Sequence, residues 1–252
     1  MEYNGRRYHG FQLQAGLPTV QGEMEQAIWK LTGERSRVIA ASRTDAGVHA
    51  KGQVVSFRTT SLLPLKTFIS GLNYYLPRDI AVKAVHRVSD SLNVRRHATS
   101  REYSYYILNS PTRSPLRDGF CYLVAAHLDI KSMNRLCQAL IGEHDFASFA
   151  SSTGVELKST IRRVDKAEVK RKNEVIVFNM VANSFLPHQV RNTVGVLIRA
   201  GKGKMNIAEF RSIMEARKLG LAGPTIPACG LCLMKINFPC PFTEIQDENL
   251  CN

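Results

Sequence analysis

The sequence predicts a mixed α/β protein of two related halves, each a variant of the ferredoxin-like βαββαβ unit. Helix-spaced and alternating apolar stretches interleave as αββαβ in the first half. They interleave as βαββααβ in the second, so one added leading strand makes the halves near-copies. The chain has 252 residues, 44% of them hydrophobic, enough to bury its own core.

In the first half, Thr19 is placed to cap a helix carrying Val20, Met24, Ala27, Ile28 and Leu31 on one face, closed by Gly33. Val38 to Ala41 is a short apolar run suited to a strand. Gln53 to Arg58 alternates, with Val55 and Phe57 on one side. Leu65, Phe68, Ile69, Leu72 and Leu76 recur at helical spacing until Pro77, and Ile80, Val82 and Ala84 mark another strand. Too few residues precede Tyr3 for a full leading strand, which is either shortened or upstream.

In the second half, Tyr103 to Leu108 reads as a strand. Met133, Leu136, Cys137, Leu140 and Ile141 mark a helix closed by Gly142. Ile161 to Lys170 and Glu174 to Ala182 form a hairpin across Arg171, Lys172 and Asn173. A helix runs through Val190, Val194, Leu197 and Ile198, and another starts at a capping box of Asn206 and Glu209. Leu231 to Phe238 is the last strand. The boundary falls near Asn93 to Ser100, giving halves 1–96 and 97–252.

Lys and Arg number 34 against 21 acidic residues, a net charge of +13. A chain this basic has a polyanion as its first candidate partner, and charge alone does not choose DNA or RNA. Six cysteines are too sparse for a disulfide scaffold. Cys121 and Cys137 stand in apolar runs and read as core thiols. Cys229 and Cys232 have C-x-x-C spacing, but no second pair accompanies them and they enter a strand, which argues against zinc or redox use. Gly195, Gly201 and Gly203 lack the pattern of a phosphate loop. The opening residues do not read as a secretory signal and no apolar run approaches membrane-spanning length, so a soluble cytoplasmic protein is expected.

The segment Ser42-Arg43-Thr44-Asp45-Ala46-Gly47-Val48-His49-Ala50 stands between two expected strands. A carboxylate beside a guanidinium stays ionised, which suits a nucleophile or base. The same residues also suit a polar loop with a local Arg–Asp contact.

Arg43 to Ala50 followed by Gly52-Gln53-Val54 resembles the catalytic motif of the tRNA pseudouridine synthase A (TruA) family. The resemblance runs in order along the chain. It takes in Tyr3-Asn4-Gly5, Tyr8-His9-Gly10-Phe11-Gln12, Thr19-Val20-Gln21, Leu72-Asn73 and Leu76-Pro77. It continues through Arg95, Ala98, Arg101, Tyr103, Tyr105, His144-Asp145-Phe146 and Phe149. Phe185, Val190-Arg191-Asn192, Gly195, Pro227-Ala228 and Gly230-Leu231 complete it.

The resemblance implies an enzyme that breaks the N-glycosidic bond of a tRNA uridine, rotates the base and rejoins it through carbon. It implies Asp45 as nucleophile, acting on the ribose or the base, or taking a ribose proton. Tyr103 becomes the active-site tyrosine, able to stack on uracil and to hydrogen-bond. Arg191 becomes the always-charged partner of the aspartate. No metal or nucleotide cofactor is implied. The implied targets are positions 38 to 40 in the tRNA anticodon arm. The implied assembly is a homodimer whose subunits share one tRNA, with the two sheets joined and Asp45 in the cleft between the halves.

Arg43 and His49 are candidate contacts to the RNA backbone or the flipped nucleotide, and His49 equally suits a satisfied loop histidine. Arg35, Arg37, Arg95, Arg96, Arg101, Lys202 and Lys204 are candidate phosphate contacts. The rival reading is a non-catalytic RNA-binding protein on the same scaffold. A DNA-binding factor lacks any helix-turn-helix or zinc-finger signal. Two residues depart from the family pattern beside the site: Ser42 stands where Gly is usual, and Gln189 where Met is common.

Overall fold

The computed structural model describes residues 1–151, 159–240 and 242. The chain forms β1 (Glu2–Tyr3), α1 (Val20–Thr32), β2 (Ile39–Ala40), β3 (His49–Ala50), β4 (Val55–Ser56), α2 (Leu65–Tyr75) and β5 (Ile80–Ala81). It continues as β6 (Ser100–Leu108), β7 (Tyr122–Leu123), α3 (Ile130–Leu140), β8 (Gly142–Asp145), β9 (Ile161–Lys172), β10 (Val175–Ala182), α4 (Gln189–Gly201), α5 (Ile207–Glu215) and β11 (Leu231–Asn237). Two compact units result. Met1–Arg101 and the residues from Leu233 form the first, and Glu102–Cys232 the second. The last strand returns to the first unit, where Leu233 accepts backbone hydrogen bonds from Lys51 and Gly52.

In the first unit, β1 lies between β5 and β3 and runs antiparallel to both, with Tyr3 opposite Ile80 and Ala50. β1, Glu2–Tyr3, takes the place of the leading strand. β11 borders β3, and β2 pairs antiparallel with β4 as a separate ribbon. The Thr19 hydroxyl accepts the Gly22 N–H at the start of α1, and Gly33 ends it in the left-handed region at φ 76°. The strands are shorter than the apolar runs because side chains take over the ladder bonds. Val38 N–H donates to the Glu25 carboxylate, and Arg58 N–H to the Ser36 hydroxyl. Asn73 binds both backbone groups of Val82, which ends β5 at Ala81.

In the second unit the strand order is β6-β10-β9-β8, and β7 adds to β6 in parallel. Among β6, β9 and β10 the third strand lies between the first and second, the split arrangement of a ferredoxin-like βαββα run. β9 and β10 pair through Lys172 opposite Val175, so the turn is Asn173-Glu174, with Asn173 at φ 55°. β7 and β8 are absent from the sequence pattern. β8 is the polar edge Gly-Glu-His-Asp and shows no apolar alternation to read. Asp129 caps α3, which buries Met133, Leu136, Cys137 and Leu140. Ile141 lies past the helix end, 39% exposed. The capping box of Asn206 and Glu209 forms as expected. Phe146 meets Phe149 edge to face, and Phe149 meets Phe210 of α5 at a tilt.

Cys137 is fully buried, and burial pushes its thiol up to about 12. Cys121 is not the core thiol expected; it is half-buried beside the two-residue β7. Among the described residues no helix is long and apolar enough to cross a membrane.

Candidate active site

Asp45 lies on the loop from β2 to β3, and the first unit fastens that loop at nearly every step. Ala41 N–H donates to Val54 O at 2.9 Å. The Gln53 amide donates to Ser42 O at 2.7 Å and reaches the Tyr3 hydroxyl at 3.3 Å. Tyr3 and Thr44 hydroxyls share a 2.8 Å bond. Thr44 O accepts the Phe11 N–H, and Gly47 N–H donates to Tyr8 O. Asp45 O accepts the Val48 N–H at 3.1 Å, closing a turn whose third residue, Gly47, has φ 78°. A turn with positive φ there calls for glycine. Asp45 itself is half-exposed on this fixed frame. A reacting group benefits from such fixing, because its geometry is set before substrate arrives.

His49 is 6% exposed, and its Nδ1 accepts the Gly5 N–H at 3.2 Å. Of its two readings, this geometry supports the loop fastener. Arg43 is exposed, yet partial burial and then the Arg95 charge pull its guanidinium below the usual range. Arg95 and Arg96 are exposed on a turn organised by Asn93, whose side chain accepts both their N–H groups. Arg101 differs from the surface contact expected: it is 7% exposed and donates to three backbone carbonyls. Arg35 and Arg37 line an open pocket with Glu25, Gln26, Trp29 and Ser36, and Arg37 pairs with Glu25 at 3.6 Å.

In the second unit, Tyr103 on β6 is 5% exposed and meets Phe185 edge to face, with ring centroids 5.1 Å apart. Arg191 stands in the first turn of α4, and its Nε donates to Ile226 O at 2.8 Å. The Tyr105 hydroxyl donates to the next carbonyl, Pro227 O, at 2.7 Å, and burial raises its pKa. Arg191 and Tyr105 thus hold one segment between them. Lys202 and Lys204 are exposed around the turn after α4. Eleven residues separate Lys202 from Arg191, about 16 Å along the axis. Gln189 is fully buried; its carbonyl oxygen accepts the Leu186 N–H, while its amide nitrogen has no partner among the described residues.

The Cys229 thiol donates to the Cys121 carbonyl at 3.7 Å. Among the described residues no group of three His, Cys, Asp or Glu side chains is placed to hold a metal ion. Sequence reasoning gave no role to Tyr3, Gly5, Gln53 or Tyr105, which fasten the two segments. The ordered motif blocks contain all four, and that was the available signal.

The tRNA pseudouridine synthase family model matches residues 1–95 and 136–239. The tRNA pseudouridine synthase A of Pelobacter propionicus is 38% identical over 238 residues, covering 94% of this chain and 97% of the relative. That of Francisella tularensis subsp. novicida is 39% identical over 95% of this chain and 92% of its own. That of Buchnera aphidicola subsp. Schizaphis graminum is 39% identical over 96% and 91%. With the Asp45 loop seated on the family's opening residues and the match running nearly end to end, the chain belongs to the tRNA pseudouridine synthase family.

Proposed function

We propose that this chain isomerises uridine to pseudouridine at one or more of positions 38, 39 and 40 of the tRNA anticodon arm, with Asp45 as nucleophile. The observation that supports it best is the Asp45 loop, a half-exposed aspartate on a backbone held at Ala41, Ser42, Thr44, Gly47 and His49. Tyr103 is the residue proposed to stack on the uracil, and Arg191 the one proposed to keep the aspartate ionised. The bond from ribose to base nitrogen breaks, the base turns, and a bond from ribose to base carbon replaces it; that carbon gives up its proton and the freed nitrogen takes one, so the change is an isomerisation. Arg43, Arg95, Arg96, Lys202 and Lys204 are the proposed backbone contacts. The protein is proposed to work as a soluble cytoplasmic homodimer, with 1–96 and 97–252 as its related halves. Pseudouridine mapping of tRNA incubated with the pure protein tests this directly. Modification confined to positions 38–40 supports it, and none at these positions overturns it.

Tyr103→Phe and Tyr103→Leu are expected to differ. Phe keeps the ring and holds most substrate binding, while Leu loses the stack, at about 1–3 kcal/mol. A stalled Phe variant assigns the hydroxyl a part in proton transfer. Equal wild-type rates in both remove Tyr103 from the site.

Full tRNA is expected to be a much better substrate than an isolated anticodon stem-loop, since a second subunit makes the distant contact effectively intramolecular. Light scattering should give a dimer at working concentration. A fully active monomer that treats both substrates alike overturns the assembly and leaves the chemistry standing.

A further inference from the structure

Arg101 holds more of the backbone around the Asp45 loop than any other guanidinium described there. Its Nη1 donates to Ala98 O at 3.0 Å, and its Nη2 donates to Ala41 O at 3.0 Å and Arg95 O at 2.7 Å. Ala41 lies two residues before Arg43, just past the strand that leads into the loop. Arg95 lies on the Asn93 turn, far away in sequence. One buried side chain therefore ties two segments whose own side chains, Arg43 and Arg95, both reach solvent. Partial burial and then the charge of Arg95 pull the Arg43 guanidinium below its usual range. Like charges held together by a third residue form an unfavourable arrangement unless an anion sits on them. A phosphate is the natural anion for paired guanidinium forks.

We propose that Arg101 is a positioning residue: by binding the carbonyls of Ala41 and Arg95 it holds Arg43 and Arg95 together as a clamp for one RNA phosphate beside the target uridine. The proposal rests on the tRNA-modifying reading above and adds to it which phosphate contact is built, and by what. Arg101 itself touches no RNA. Its planar fork reaches carbonyls on three sides, which a lysine ammonium on a single stem does less completely.

The test is the salt dependence of tRNA affinity for Arg95→Gln, Arg101→Met and the double variant. Removing one phosphate interaction flattens the slope of log affinity against log salt by about 1. Arg95→Gln and Arg101→Met should each flatten it by that amount, and the double variant no further, because both break one clamp. Arg101→Lys should recover part of the affinity. A protein that is merely loosened keeps the wild-type slope. Arg101→Met with the wild-type slope, or a double variant that flattens it by the sum, overturns the proposal. If Arg101→Met does not fold, Arg101→Lys with and without Arg95→Gln makes the same comparison: non-additive loss supports the clamp and additive loss overturns it. Wild-type protein that forms no pseudouridine sinks the reading beneath. An active wild type with an unchanged Arg101→Met slope sinks the clamp alone.

Discussion

Asp45→Asn is expected to abolish pseudouridine formation, by a factor on the order of 10³ or more, while melting temperature and tRNA affinity stay near wild type. The substitution keeps the shape of the side chain and removes its charge and nucleophilicity. The loop tolerates it because its frame is held by backbone groups and by the side chains of Tyr3, Thr44, Gln53 and His49. A pure structural role for Asp45 would show the opposite pattern, a lower melting temperature with activity reduced only in proportion. Single-turnover formation of pseudouridine, read alongside a tRNA binding curve, separates the two. A variant that keeps a tenth of the wild-type rate removes Asp45 as nucleophile.

Much of the fold was legible because its helices announce themselves locally. Thr19 and Gly33 bound α1, and Asn206 and Glu209 open α5, through caps that need no knowledge of distant residues. Strands were less legible, for a physical reason. β2, β4 and β5 stop where Glu25, Ser36 and Asn73 take the next backbone group, and such long-range side-chain bonds leave no periodicity. β8 is a polar edge, and β7 is two residues joined in parallel to β6. Both are defined by pairing with a neighbouring strand rather than by a periodicity of their own. The Asp45 loop was legible from composition and motif. The burial of Arg101 was not, and that of His49 was only one of two open readings. A charged or polar residue beside a polar loop reads as a surface contact until the carbonyls and N–H groups around it are seen.

Gly5→Ala is expected to be among the most damaging single changes in the first unit. An added Cβ there lies 1.9 Å from Val48 O, 2.6 Å from Val48 C and 3.1 Å from Val48 N. All three are backbone atoms, so no side chain can swing aside. Either the β1 segment or the loop's return into β3 must move. That motion also pulls the Gly5 N–H from His49 Nδ1. Overpacking of this kind costs about 3 kcal/mol or more. For a chain of this length that lowers the melting temperature by roughly 6–12 °C. Gly16→Ala is the control: its φ is 71°, but nothing lies within 4 Å of the new methyl. It bears only the cost of left-handed backbone, about 1–2 kcal/mol, and leaves the loop in place. Pseudouridine formation should therefore fall with Gly5→Ala even well below its melting temperature, and stay near wild type with Gly16→Ala. Equal melting temperatures for the two variants would show that the β1 segment does not pack against Val48 as tightly as described. An intact rate in a destabilised Gly5→Ala would show that the position of the β3 return does not matter to Asp45.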